Sequence, residues 1–118
     1  MSKTGISVTK DKLVIIDLKD PGFVIKSYTT KDIHSNSIKE FSKEFITNHA
    51  DKILKILKES LSDNNTVVVF GPCNRKKSII DIIEKDGLLK NHNILEKNCE
   101  NINESQMLLF LRNDLSNN

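Results

Sequence analysis

Tryptophan is absent from the 118 residues, tyrosine occurs once and phenylalanine five times. A chain this poor in aromatic rings lacks the stacking platforms on which single-strand binders seat successive bases. Neither sign of charge is in excess: 18 basic against 16 acidic residues leave a formal net charge of +2. That balance gives no argument for nucleic acid from charge alone, and any such contact needs a local basic cluster. The two cysteines, Cys73 and Cys99, form no CxxC pair, and Met1 to Thr9 hold no hydrophobic leader. Both features predict a reduced cytosolic or nuclear compartment, with the cytoplasm as the expected location. No apolar run approaches the ~20 residues of a membrane span, so no membrane contact is expected.

What is present suits a small α/β protein. The length allows one domain and not two, expected over residues 1–118 with 1–9 and 116–118 frayed. Lys12 to Leu18 (KLVIIDL) and Phe23 to Thr29 (FVIKSYT) are rich in β-branched residues. The Lys19-Asp20-Pro21-Gly22 between them is a reversal signal, so a hairpin is predicted, with Ile6 to Val8 extending its first strand. A polar stretch, Thr30 to Asn36, follows. Ser37 precedes Glu40 by three positions as in a capping box. Apolar residues from Ile38 to Leu61 then recur at three and four residue spacing, which predicts a helix over 37–61 interrupted near Asn48-His49.

After a Ser62 to Asn65 loop, Thr66 to Phe70 (TVVVF) has no polar alternation and reads as a strand buried on both faces. Gly71-Pro72 ends it. Isoleucines at 79, 80, 82 and 83 mark a helix over 75–86, with Gly87 as its C-terminal cap. Asn93 to Cys99 is a further strand, and Asn101 with Glu104 opens a last helix that ends near Leu115. The order ββαβαβα implies a mixed four-stranded sheet with helices on its faces.

The most informative segment is Gly71-Pro72-Cys73-Asn74-Arg75-Lys76-Lys77-Ser78. A buried strand hands over through a tight turn to a helix start, where free N–H groups and the positive end of the dipole favour an anion. Three cations in the first turn oppose that dipole, which points to an anionic partner such as a phosphate. The stretch matches the phosphate-loop template except that Lys76 replaces its second glycine, so an intact Walker A is absent. The plain alternative is three solvated first-turn side chains.

Val67-Val68-Val69-Phe70-Gly71-Pro72 resembles the central domain of Pelota and of the archaeal and eukaryotic release factors. In that family a long helix precedes a buried strand, then a Gly-Pro-Gly-Phe-like turn and a short helix; here Cys73-Asn74 replace Gly-Phe. Asn93 to Cys99, Ile102-Asn103-Glu104 and Met107-Leu108 look like the family's closing strand and helix, and the hairpin at 12–29 like its first strands. The resemblance implies a ribonuclease-H-like fold and a role in translation or RNA surveillance. The partners it implies are tRNA, rRNA or the ribosome, and a translational GTPase or another protein. Release factors carry Gly-Gly-Gln between the second strand and the long helix. Thr30 to Ser37 (TKDIHSNS) holds neither Gly nor Gln, so peptidyl-tRNA hydrolysis by that tripeptide is not expected.

Catalytic readings have less behind them. A two-metal nuclease would use Asp17 with further carboxylates, by residue type Asp81, Glu84 and Glu104. His34, His49 and His92 show no metal-ligand spacing. Cys73 sits beside cations at a helix start, a setting in which thiols become reactive, whereas Cys99 has no such neighbours. The sequence therefore predicts a non-catalytic domain without cofactor, contacting phosphate through Lys31, Arg75, Lys76 and Lys77. A metal-dependent nuclease, a degenerate phosphate-loop enzyme and a protein–protein adaptor remain as alternatives.

Overall fold

The β-branched runs become strands, and one more joins them. The computed structural model describes residues 2–19, 22–35, 40–61, 66–87, 89 and 92–114. Five strands, β1 (Ser2–Val8), β2 (Leu13–Lys19), β3 (Gly22–Tyr28), β4 (Thr66–Gly71) and β5 (Asn93–Asn98), form one sheet in the order β3-β2-β1-β4-β5. β1, β2 and β3 run antiparallel in succession. β4 lies parallel to β1 on its other side, and β5 parallel to β4.

The expected four strands and frayed first nine residues are thus corrected: Ser2–Val8 is the central strand. Its signal is faint because only one face is apolar, through Ile6 and Val8, both 0% exposed. The other face presents Lys3, Gly5 and Ser7. Gly5 is a place of close approach: a Cβ there would lie 2.9 Å from Leu111 Cδ1 and 3.3 Å from the Phe70 ring. Neighbouring side chains fill the space that the strand's own residues leave. The Asp20-Pro21 turn, the Ser62 to Asn65 loop and the tail beyond Asp114 lie outside the described residues.

Helices α1 (Thr30–Ile33), α2 (Lys43–Asn48), α3 (Ala50–Leu61) and α4 (Cys73–Lys85) cover one face of the sheet. Their apolar stripes meet Ile6, Val8, Leu13, Ile15, Val67 and Val69 in the larger core. Ile53, Leu57 and Leu61 of α3, four residues apart, are each 0% exposed, as one buried stripe of a helix requires. Helix α5 (Glu104–Leu109) and the π-helical turn Phe110–Asp114 cover the other face. There Met107 and Leu111 pack on Val14, Ile16, Leu18, Val68 and Phe70.

Capping explains where the helices depart from expectation. The stretch after Thr29 winds one turn because the Asp32 carboxylate accepts from the Thr29 backbone N–H at 2.7 Å. The expected helix over 37–61 is two helices. The Ser42 hydroxyl accepts from the Phe45 N–H at 3.1 Å, so α2 begins at Lys43; Ser37 lies outside the described residues. The break falls at His49, whose φ and ψ of −119° and 27° leave the helical region. Helix α4 starts at Cys73, two residues earlier than expected, because Pro72 at φ −62° is already set for a helix start. It ends with Asp86, not Gly87, as its cap. For α5 the capping box is Asn103 with Gln106, shifted from Asn101 and Glu104: each side chain accepts from the other's backbone N–H, at 2.8 and 2.9 Å. Among the described residues, no helix is long and apolar enough to cross a membrane.

Gly71 is where the architecture depends most on a missing side chain. Its φ is +143°, and a Cβ would stand 2.8 Å from the Val8 carbonyl oxygen. Gly71→Ala is expected to lower stability by about 2 kcal/mol or more in urea denaturation. Gly87, with open space around it, serves as the control, and Gly87→Ala should stay within about 0.5 kcal/mol of the wild type. Equal effects of the two substitutions would refute the argument.

Candidate functional site

The segment singled out in the sequence sits at the carboxyl end of the parallel strands. β4 runs through the sheet interior, all of Val67 to Gly71 being buried, and turns at Gly71-Pro72 directly into α4. Cys73 to Lys76 are already helical, and the Lys76 N–H donates to the Pro72 carbonyl at 3.0 Å. No loop is left that could wrap a phosphate, so the degenerate phosphate-loop geometry is not built here.

The three cations have three different fates. Arg75 is half-buried, and its Nε–H donates to the Phe41 carbonyl at 2.8 Å, tying α4 to the segment before α2. Lys76, expected to face phosphate, is 2% exposed, with its Nζ 3.0 Å from Glu96 Oε1 of β5. The helix turns position 76 toward the sheet, so the ammonium meets a carboxylate instead of water. Lys77 is exposed. Lys31 is exposed on α1, directly after β3. It shares this end of the sheet, but β3 lies three strands from β4, a separation of about 14 Å at ordinary strand spacing. Arg75 and Lys77, two residues apart at the start of α4, therefore stand on different sides of that helix, and Lys31 lies apart from both.

The nuclease carboxylates do not converge. Asp17 is buried on β2 and accepts from the Thr4 hydroxyl at 3.0 Å. Its strand register places it beside the start of β4, at the opposite end of the sheet from α4's first turn. Asp81 and Glu84 are exposed on α4, and Glu104 begins α5 on the other face. Among the described residues, no three His, Cys, Asp or Glu gather as a metal site.

Two of the histidines do meet: the rings of His34 and His49 lie 5.2 Å apart, and His49 stacks on Phe45 at 4.3 Å. His92 places its ring nitrogens 2.6 Å from the Leu61 carbonyl oxygen and 2.9 Å from that of Leu89, joining the end of α3 to the approach to β5. The Glu96 partner of Lys76 went unread in the sequence. Only strand pairing brings residues twenty apart together, and Asn93 to Asn98 carries little apolar pattern.

No protein-family model and no curated protein matches the sequence. A solved structure does share its fold. A crystal structure of Archaeoglobus fulgidus Pelota superposes on 94% of this chain and 30% of its own, with a TM-score of 0.55 at 14% sequence identity. The fold is thus shared with part of Pelota, as the Gly-Pro turn suggested, and this chain spans about 30% of that protein's length. An archaeal protein matches with a TM-score of 0.46 at 16% identity, covering 94% of this chain and 33% of its own. The Aquifex aeolicus PPX-GPPA enzyme matches with a TM-score of 0.38 at 13% identity, covering 83% and 36%. Scores that low bear on neither fold nor function.

The Lys76–Glu96 pair makes an asymmetric prediction. Glu96→Gln leaves a buried ammonium without its counter-charge, whereas Lys76→Met removes the charge and keeps the volume. Because Glu96 is half-exposed, the first should cost about 1–2 kcal/mol and the second less. Urea midpoints of the two variants decide it, and a larger loss for Lys76→Met would contradict the assignment.

Proposed function

We propose that this chain is a non-catalytic, RNA- or ribosome-associated domain with a ribonuclease-H-like fold. It is similar to the central domain of Pelota and the release factors, and acts in translation or RNA surveillance in the cytoplasm. The observation that carries this reading is the likeness to Archaeoglobus fulgidus Pelota across 94% of the chain. The strand order β3-β2-β1-β4-β5, with β2 alone antiparallel to both neighbours, supports the ribonuclease-H-like part. Its partners on this reading are tRNA or rRNA, and a translational GTPase or a further protein.

Contact with RNA would be electrostatic and sparse. Lys77 and the half-buried Arg75 offer positive charge at the start of α4, and Lys31 offers a further point after β3, three strands across the sheet. Two phosphates along one strand of a folded RNA can meet both. Lys76 holds α4 against β5 through Glu96, a positioning role instead of the direct contact read from sequence. Phosphate contacts of this kind fix orientation without reading bases, which fits a surface poor in aromatic rings.

A second reading has its own observation. Phe23 and Val24 of the edge strand β3 are 45% and 51% exposed, and an apolar edge strand is a place where a protein partner adds a strand. This supports the adaptor role.

Filter binding to a structured RNA separates the two. For the first reading, affinity falls with salt, and Arg75→Ala and Lys77→Ala each weaken binding and flatten the log–log salt slope by about 0.9. Affinity that ignores both salt and these substitutions would rule out the proposed contact. Loss of a co-purifying protein on Val24→Lys, with no RNA present, would favour the adaptor.

A further inference from the structure

The two cysteines, 26 positions apart and unrelated in sequence, open onto the same crevice. β4 and β5 are parallel, with Gly71 opposite Asn98. Cys73 follows Gly71 by two residues as the first residue of α4, and Cys99 follows Asn98 by one. The Cys99 N–H donates to the Gly71 carbonyl at 3.3 Å, so the two chain segments remain joined beyond the last strand pair. Pro72, Cys73, Asn98, Cys99 and Glu100 line a cavity of about 420 Å³. Continued past Asn98, that register sets Cys99 beside Pro72, one residue from Cys73, and the closed bond would draw the two Cα atoms to the roughly 4.4–6.8 Å that a disulfide requires.

Their exposures are unequal. Both thiols are free, Cys73 exposed and Cys99 half-buried beside the α5-side core. Among the described residues no group of three or more His, Cys, Asp or Glu gathers, so the pair lacks the ligand set of a structural zinc. What two thiols in one crevice can do is exchange with a disulfide.

We propose that Cys73 and Cys99 are a redox modification site, closed to an intramolecular disulfide by a low-molecular-weight disulfide such as oxidised glutathione. The exposed Cys73 thiolate attacks one sulfur of the reagent. The reagent's S–S bond breaks, and one small thiolate leaves, taking up the proton that Cys73 released. The Cys99 thiolate then attacks the Cys73 sulfur. The mixed disulfide breaks, and the second small thiolate leaves with the proton from Cys99. Two electrons pass from the cysteine pair to the reagent: the pair is oxidised, and the reagent is reduced to two thiols. The closed bond ties the start of α4 to the end of β5, locking the turn at Gly71-Pro72. This holds whether or not the chain binds RNA.

The test treats the folded, full chain with oxidised glutathione and follows intact mass and non-reducing peptide maps. The expected product has lost two hydrogens, carries one cross-link joining the Cys73 and Cys99 peptides, and reverts with dithiothreitol. Cys99→Ser should stop at a mixed disulfide on Cys73, and Cys73→Ser should react more slowly, its remaining thiol being half-buried. The same treatment of the urea-unfolded chain should close the bond more slowly, because the fold supplies the proximity. A stable mixed disulfide on the wild-type chain, disulfide-linked dimers in place of the internal bond, or equal closure rates in folded and unfolded chains would each overturn the proposal.

Discussion

The contact between Gly71 and the Val8 carbonyl sets the geometry of everything at the carboxyl end of the sheet. β1 and β4 run side by side, and where β4 ends its backbone passes so close to β1 that a Cβ would collide with that oxygen. Only glycine fits at such a place, and φ +143° is a conformation that side chains disfavour. Pro72 then fixes the next φ for a helix start. The two residues convert an interior strand into a helix without an intervening loop. The direction of α4, the inward turn of Lys76 and the neighbourhood of Cys73 and Cys99 all follow.

The buried ammonium of Lys76 illustrates how this end of the molecule uses charge. A cation in the first turn of a helix is opposed by the dipole, and burying it adds a desolvation cost. Glu96 offsets both by approaching from β5, itself still half in water. Its neighbour Arg75 reaches back to the Phe41 carbonyl, so α4 is held by polar contacts on two sides in addition to its isoleucine stripe. A run of three basic residues is thereby divided into two anchors and one exposed charge. Composition and spacing describe the run; only the helix phase and the adjoining strand tell its members apart.

That distinction marks how far the sequence could be read. The dense strands at Leu13 to Leu18 and Val67 to Phe70 were legible because both faces are apolar, and α3 because its stripe repeats every four residues. Helix ends were misplaced where several short polar residues compete to cap: α2 takes Ser42 as its cap, and Asn103 outdid Asn101. β1 was read only as Ile6 to Val8 extending the hairpin, because one of its faces is covered by Phe70 and Leu111 leaning over Gly5, so a central strand shows little hydrophobic signature of its own. The candidate site was found through the Gly-Pro turn, whose conformational demands are local. Its partners, Glu96 and the Phe41 carbonyl, were not found, since nothing local encodes a contact made across the sheet.

The placement of β1 also bears on how the molecule assembles. Lys3 pairs with Thr66 and Ser7 with Phe70, so the middle of the sheet joins segments separated by the whole of the first hairpin and three helices. Closing a loop of that length precedes any reward from the contact, and topologies dominated by such distant pairings fold slowly. On a ribosome β1 would find β2 and β3 soon after they emerge, but would keep one flank unpaired until β4 had left the exit tunnel. The nascent hairpin thus carries an open seam through most of its synthesis, and the arrival of a single pentapeptide seals it.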